Sequence, residues 1–183
     1  MREFEDVAIA FDRACRAARV PYAFVGGMAV LAWGQPRTTS DIDALLAVEL
    51  AQVPTMSAAL AGEGLRGSEA DFRDAFADRS HVSVFDERSA FHVDVKIAFR
   101  EDERRQVADA VDVPFRGAAL RVARPEDTVA FKLLYGTPQD LADARSILVR
   151  QVKRLDEARL RGLARRLGVE EALERALDEA PGG

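Results

Sequence analysis

The longest apolar run in the chain, Tyr22 to Trp33, is 12 residues long and carries Gly26 and Gly27 in its middle. Twelve residues are too few to span a bilayer. A glycine pair also breaks whatever regular element it falls in. The run therefore predicts a buried strand over Tyr22–Val25, a break at Gly26-Gly27 and a short helix from Met28 to Gly34. A chain of 183 residues with 48% apolar and 31% charged residues has room for one domain with a substantial core.

The flanking patterns extend this strand–helix unit. Phe4, Val7, Ala8, Phe11, Ala14, Cys15 and Ala18 recur at helical spacing and predict an amphipathic helix over 3–19. Asp41–Val48 reads as a strand, and Val53–Ala61 as a helix with Pro54 in its first turn. His81–Asp86 and Phe91–Phe99 alternate as strands around a turn at 86–89, and Arg100–Val111 is a polar helix or loop. A second short hairpin is centred on Gly117. From Pro125 onward the pattern is helical, with starts at Pro125 and at Thr137, which caps with Asp140, and further helices near 156–167 and 170–179. The order predicts an α/β (α+β) fold: a small mixed β-sheet with helices packed on it and a helical C-terminal third.

Composition narrows the function classes. The single cysteine, Cys15, excludes an internal disulfide framework and a cysteine-ligated zinc site. The N-terminal residues lack the basic and apolar regions of a signal peptide, so the expectation is a soluble, cytoplasmic chain with no membrane partner. A net charge of −5 argues against a general nucleic-acid coat protein. Only Lys96, Lys132 and Lys153 among the 26 basic residues are lysines, which with the abundant alanine points to a GC-rich bacterial source.

Three carboxylates stand out. Asp41 and Asp43 are two apart on an expected strand, so both side chains leave the same face. Like charges held this close repel, and a hard divalent cation such as Mg²⁺ supplies a reason for the pair. A solvated strand start is the alternative. In Phe91–Ile97, Asp94 shares a face with His92 and Lys96, while Phe91, Val93, Val95 and Ile97 share the other. Strands disfavour aspartate, so Asp94 is either a polar residue on a solvated sheet face or a third ligand in a two-metal site. Gly26-Gly27, opening a helix after a buried strand, lets backbone N–H groups approach a phosphate.

The pattern Gly26-Gly27, Arg37-x-Thr39-x-Asp41-Ile-Asp43 and the strand residue Asp94 resembles the DNA polymerase β-like nucleotidyltransferase superfamily. Arg124-Pro-Glu-Asp-Thr-Val-Ala-Phe-Lys132, followed by Asp140-Leu-Ala-Asp143-Ala-Arg, is similar to the subgroup of AbiEii toxins and related bacterial nucleotidyltransferases. The resemblance implies a catalytic core over 1–124 and a C-terminal helical region over 125–183 in one compact unit. It implies transfer of a nucleoside monophosphate from a nucleoside triphosphate (NTP) to an acceptor hydroxyl, with pyrophosphate leaving. Asp41, Asp43 and Asp94 would hold two Mg²⁺ ions and, with Lys132, form the catalytic set. Gly26, Gly27, Arg37, Thr39 and Asp143 would bind the nucleotide. Asp143, placed on the polar face of its helix and without a capping role, is a better functional candidate than Asp140. The chain departs from the superfamily's usual Gly-Ser at Gly27.

The subgroup further implies a toxin of a toxin–antitoxin pair, with an antitoxin partner and tRNA or another RNA as acceptor; a small molecule or a protein is the other class of acceptor. Residues 145–166 carry eight basic and two acidic side chains, a net +6 that suits a phosphate-rich acceptor or simply a solvated helix face. Two other readings stay open: a degenerate relative that binds nucleotide or a partner without catalysis, and a phosphate-cleaving hydrolase.

Overall fold

The computed structural model describes residues 2–36 and 41–180. Its first element is α1 (Phe4–Ala18), an amphipathic helix whose apolar stripe, including Val7, Phe11, Ala14 and Cys15, is fully buried. It ends at Arg19 in the left-handed conformation. Then follow β1 (Tyr22–Phe24), α2 (Gly26–Trp33), β2 (Ile42–Leu46), α3 (Val53–Gly62), β3 (Leu65–Arg66), α4 (Glu69–Asp78), β4 (His81–Asp86) and β5 (His92–Ile97). The remainder is α5 (Glu101–Ala108), β6 (Val111–Phe115), β7 (Ala118–Val122), α6 (Pro125–Tyr135), α7 (Pro138–Gln151), α8 (Glu157–Leu167) and α9 (Glu170–Glu179).

Among the described residues the strands form one mixed sheet in the order β3-β4-β5-β2-β1-β7-β6. The expected mixed sheet and helical C-terminal third are present. β2 lies parallel to β5 and antiparallel to β1, and β4 and β5 form the predicted hairpin. Residues 63–80, for which the sequence pattern assigns no element, hold β3 and α4. Ser68 and Asp71 form a reciprocal capping box at the start of α4, and Phe72 and Ala75 bury its inner face.

Alternation along the strands divides the sheet into two unlike faces. On one, Ile42, Ala44 and Leu46 of β2, Val93, Val95 and Ile97 of β5, and Val82 and Val84 of β4 join α1, α3 and α4 in the main core. Each fully buried leucine, isoleucine or phenylalanine there contributes about 1.5–3 kcal/mol. On the other, only a small apolar cluster forms: Ala23 and Leu45 pack with Ala98, Val107 and Ala110 beneath α5. A separate apolar cluster joins α6 to α9, with Val30 of α2 packed into it.

The start of α6 is tied down by buried charge. Asp127 is hydrogen-bonded to Arg159 of α8 at 2.8 Å, Arg159 also reaches Asp109 at 2.9 Å, and the Asp156 N–H donates to Glu126 at 2.8 Å. Burial pushes the Asp127 carboxyl up, against the pull of Arg159. No helix among the described residues is long and apolar enough to cross a membrane.

Candidate active site

The second face of the sheet is left open beside its small apolar cluster, and α5 and α6 stand over it. Between them lies a cavity of about 450 Å³, a volume ordinary for a small-molecule site. Asp43 and Asp94 enter it from the sheet, Gly26 from the start of α2, Glu103 and Gln106 from α5, and Thr128, Phe131, Lys132 and Tyr135 from α6.

Asp43 and Asp94 are direct register partners across the parallel β2–β5 pair, so their side chains stand next to each other on the open face. Asp41 falls one residue short of β2, which begins at Ile42; the shared strand expected for Asp41 and Asp43 does not extend that far. The charge of Asp41 nevertheless reaches the site. Burial raises the Asp43 pKa first, and the negative charges of Asp41 and Asp94 raise it further, against a Gly27 N–H hydrogen bond and the positive charge of Lys132. Asp94 accepts a hydrogen bond from the Ser83 hydroxyl at 2.7 Å, and His92 Nε2 lies 3.5 Å from its other oxygen. Among the described residues no three such groups close on one point as a metal cage would.

The glycine pair has a specific steric cause. Gly26 has φ of +52°, and a Cβ there would lie 2.2 Å from Asp43 Oδ2. Only glycine lets α2 begin against the carboxylate in this left-handed conformation. The Gly27 N–H points at Asp43 itself, so the positive end of α2 faces the same spot as the carboxylates. Helix α2 starts at Gly26 rather than at the expected Met28, so the pair opens the helix from within its first turn.

Lys132 lines the cavity, but its ammonium is held by Asp140 at 2.6 Å and Asp143 at 3.0 Å, with only 12% of the side chain exposed. Burial works against the charged form, and the two carboxylate hydrogen bonds outweigh it and raise the pKa. Asp143 does not lie on a solvated helix face. It is 3% exposed and also accepts from Gln139, so its place is in the lysine clamp and not against solvent. Asp140 does cap α7 with Thr137, as expected, and serves the clamp as well. Arg37 and Thr39 lie outside the described residues.

Sequence reasoning missed the α5 side of the cavity. Glu103 and Gln106 are each 3% exposed in a helix of otherwise solvated composition, where buried polar residues are indistinguishable from surface ones. Glu103 is fully engaged: one oxygen accepts from the Phe99 and Arg100 N–H groups, the other pairs with Lys96 at 2.7 Å. Phe131 and Tyr135, at i and i+4 on α6, were readable as a pair but not as a wall of the site; their ring centroids are 6.4 Å apart.

Solved structures share this fold. The antibiotic-resistance factor ANT(2'')-Ia, determined in solution, aligns with a TM-score of 0.57 at 19% identity over 97% of this chain and 99% of its own. The crystal structure of ANT(2'')-Ia with adenylyl-2''-tobramycin aligns at 0.55 and 17% identity over 88% and 93%. An antigenic nucleotidyltransferase-like protein from Paracoccidioides brasiliensis aligns at 0.58 and 15% identity over 97% and 94%. No curated protein matches in sequence. The family described as Nucleotidyl transferase AbiEii toxin, Type IV TA system, matches residues 10–181, nearly the whole chain, which therefore belongs to the AbiEii nucleotidyltransferases.

Proposed function

We propose that the protein moves a nucleoside monophosphate from an NTP to an acceptor hydroxyl at the cleft between the sheet and α6. The observation that carries this reading is the register pairing of Asp43 with Asp94, in front of the glycine-opened start of α2. Charge of one sign is concentrated where a helix N-terminus points, and among the described residues no cation touches Asp43 directly. Lys132, which acts on Asp43 only through its field, is already held by Asp140 and Asp143.

In this reading the start of α2, with Gly26 and Gly27, receives the phosphates, and Arg37 and Thr39 join them. The all-oxygen donor set of Asp41, Asp43 and Asp94 suits Mg²⁺, two ions in all, which is commonly held by few carboxylates and completed by substrate phosphates. Bound there, Mg²⁺ supplies charge neutralisation for the phosphates. Asp94, kept in place by Ser83, takes the acceptor proton. The acceptor oxygen bonds to the α-phosphorus, the bond to the β-phosphate breaks, and pyrophosphate leaves with the electron pair. Lys132, clamped by Asp140 and Asp143, sets the field at Asp43 rather than gripping a phosphate. Residues 1–124 then carry the catalytic core, with 125–183 as the helical region of the same compact unit.

The acceptor in this reading is an RNA end, tRNA included. Arg145, Arg159 and Arg161 of the basic segment are consumed by ion pairs with Glu179, Asp127 and Glu174. Arg150, Lys153, Arg154, Arg165 and Arg166 form none among the described residues and stay available to phosphates. An antitoxin encoded with the chain completes the system.

The test is incubation with Mg²⁺, each α-³²P-labelled NTP and total RNA or lysate, for wild type and Asp43→Asn. A wild-type product lost in Asp43→Asn supports transfer, and its size identifies RNA, protein or small molecule as acceptor. No labelling, together with no NTP binding by calorimetry, sinks the reading in favour of a degenerate binding module.

A further inference from the structure

We infer that Gln106 reads the hydrogen-bonding edge of the NTP base, with Phe131 and Tyr135 packing the ring. The inference rests on the assignment of the cleft as an NTP site. It starts from a polar group with nothing to do. Gln106 is 97% buried and lines the cavity. Its carboxamide makes no hydrogen bond to the described residues, yet it is not among the sealed-off unpartnered atoms, which are Glu126 Oε2 and Arg159 Nε; it therefore opens onto the cavity, whereas its neighbour Glu103 is saturated by Lys96 and two backbone N–H groups. A polar group that faces a cavity without a protein partner is free to bond what the cavity holds. A carboxamide carries a donor and an acceptor side by side and matches the paired donor and acceptor on the edge of a nucleobase.

The surroundings fit that ligand. The cavity runs from Asp43 and Asp94 at the level where β2 enters, past Leu45 and Lys96 two residues further along the strands, to Gln106 on α5. Phosphates at the carboxylate end place the base toward the α5–α6 end. There Phe131 is buried and Tyr135, 60% exposed, stands at the mouth, an aromatic wall on which a base can lie. Gln106 contributes specificity, while the aromatic pair contributes affinity that does not depend on the base.

The experiment is calorimetric binding of ATP, CTP, GTP and UTP, each with Mg²⁺, to wild type, Gln106→Leu, Gln106→Glu and Tyr135→Ala, with the labelling assay run in parallel. Wild type should prefer one base, and Gln106→Leu should flatten that preference by about tenfold or more, the scale of losing a two-point base contact. Gln106→Glu, which keeps an acceptor and loses the donors, should alter the order of preference. Tyr135→Ala should weaken all four about tenfold without changing their order. Gln106→Leu should melt close to wild type, because the carboxamide makes no hydrogen bond within the described residues. A wild type indifferent to base, or a preference unchanged in Gln106→Leu, overturns the inference while leaving transfer intact. Base-selective binding that Gln106→Leu flattens supports the inference whether or not a labelled product forms. Absence of binding by all four sinks both.

Discussion

The two faces of this sheet are built from the same strands and do opposite things. Along β2 and β5, Ile42, Ala44, Leu46, Val93, Val95 and Ile97 point into an apolar core, and the residues between them include Asp43, Asp94 and Lys96. The first face holds the chain together. The second concentrates negative charge in a cleft that a cohesive core would have filled. Because the alternation is strict, each strand residue serves one role or the other, and stability should be separable from chemistry position by position.

The sharpest way to break that separation is a pair of substitutions three residues apart on β2. Leu46→Ala removes a fully buried side chain and should cost about 2–5 kcal/mol, seen as a lower Tm, while transfer per folded molecule survives. Asp43→Asn should behave inversely: labelled product disappears, and the metal-free Tm holds or rises because a half-buried charge repelled by Asp41 and Asp94 is gone. If Asp43→Asn melts well below wild type, the open face is structural and the comparison fails.

Lys132 sits on the border between the two roles. Lys132→Met removes the cation that Asp140 and Asp143 share in the clamp, and should cost about 3 kcal/mol. A double-mutant cycle with Asp140→Asn should show a coupling of about 1 kcal/mol or more, because Lys132 and Asp140 are in direct contact. Coupling in stability without coupling in transfer would place Lys132 in the electrostatics of the site. Coupling in both would make the clamp a scaffold only.

How far this molecule was legible follows from the same two faces. Period-two and period-3.6 patterns exposed α1, β1, β2, the β4–β5 hairpin and the C-terminal helices, because their buried residues are apolar. β3 is two residues long and exists only through its pairing with β4, so no local pattern announces it. The Asp43–Asp94 pairing was readable as a possibility from two strands with aspartates, but the register that joins them is tertiary. Asp143 and Gln106 were missed as buried residues for one reason: a polar side chain on a helix looks solvated until the neighbouring element is known.

Two glycines sharpen the contrast further at smaller cost. Gly26 and Gly117 both have positive φ, but a Cβ at Gly117 meets nothing within 4 Å, whereas at Gly26 it meets Asp43. Gly117→Ala should cost about 1 kcal/mol, the strain alone. Gly26→Ala should cost about 2 kcal/mol and also displace Asp43, so that transfer falls with it. The excess of Gly26→Ala over Gly117→Ala should shrink in an Asp43→Ala background, where the colliding carboxylate is absent. An excess that persists there would assign the cost to the backbone of α2.

The smallest effects are in pH, and there the two faces should differ in sign. Burial would raise the pKa of Asp86, in the β4–β5 hairpin, but hydrogen bonds from Ser89, Arg2 and the Arg88 N–H outweigh it and hold the carboxyl below its ordinary value. Its contribution is present above the unfolded value near 4 and is lost as pH falls through the folded one. Asp43 is raised, so the folded chain holds that proton more tightly than the unfolded chain does. Its ionisation therefore costs stability as pH rises through the unfolded value up to the folded one. In metal-free protein, Asp86→Asn should flatten the acid limb of a Tm–pH curve below about pH 4. Asp43→Asn should instead lift the curve above that point, and Mg²⁺ with an NTP should lift the wild type in the same range, because ligand binds the ionised form. If Mg²⁺ and NTP raise Asp43→Asn as much as wild type, the charge on the open face is not what the ligand answers to.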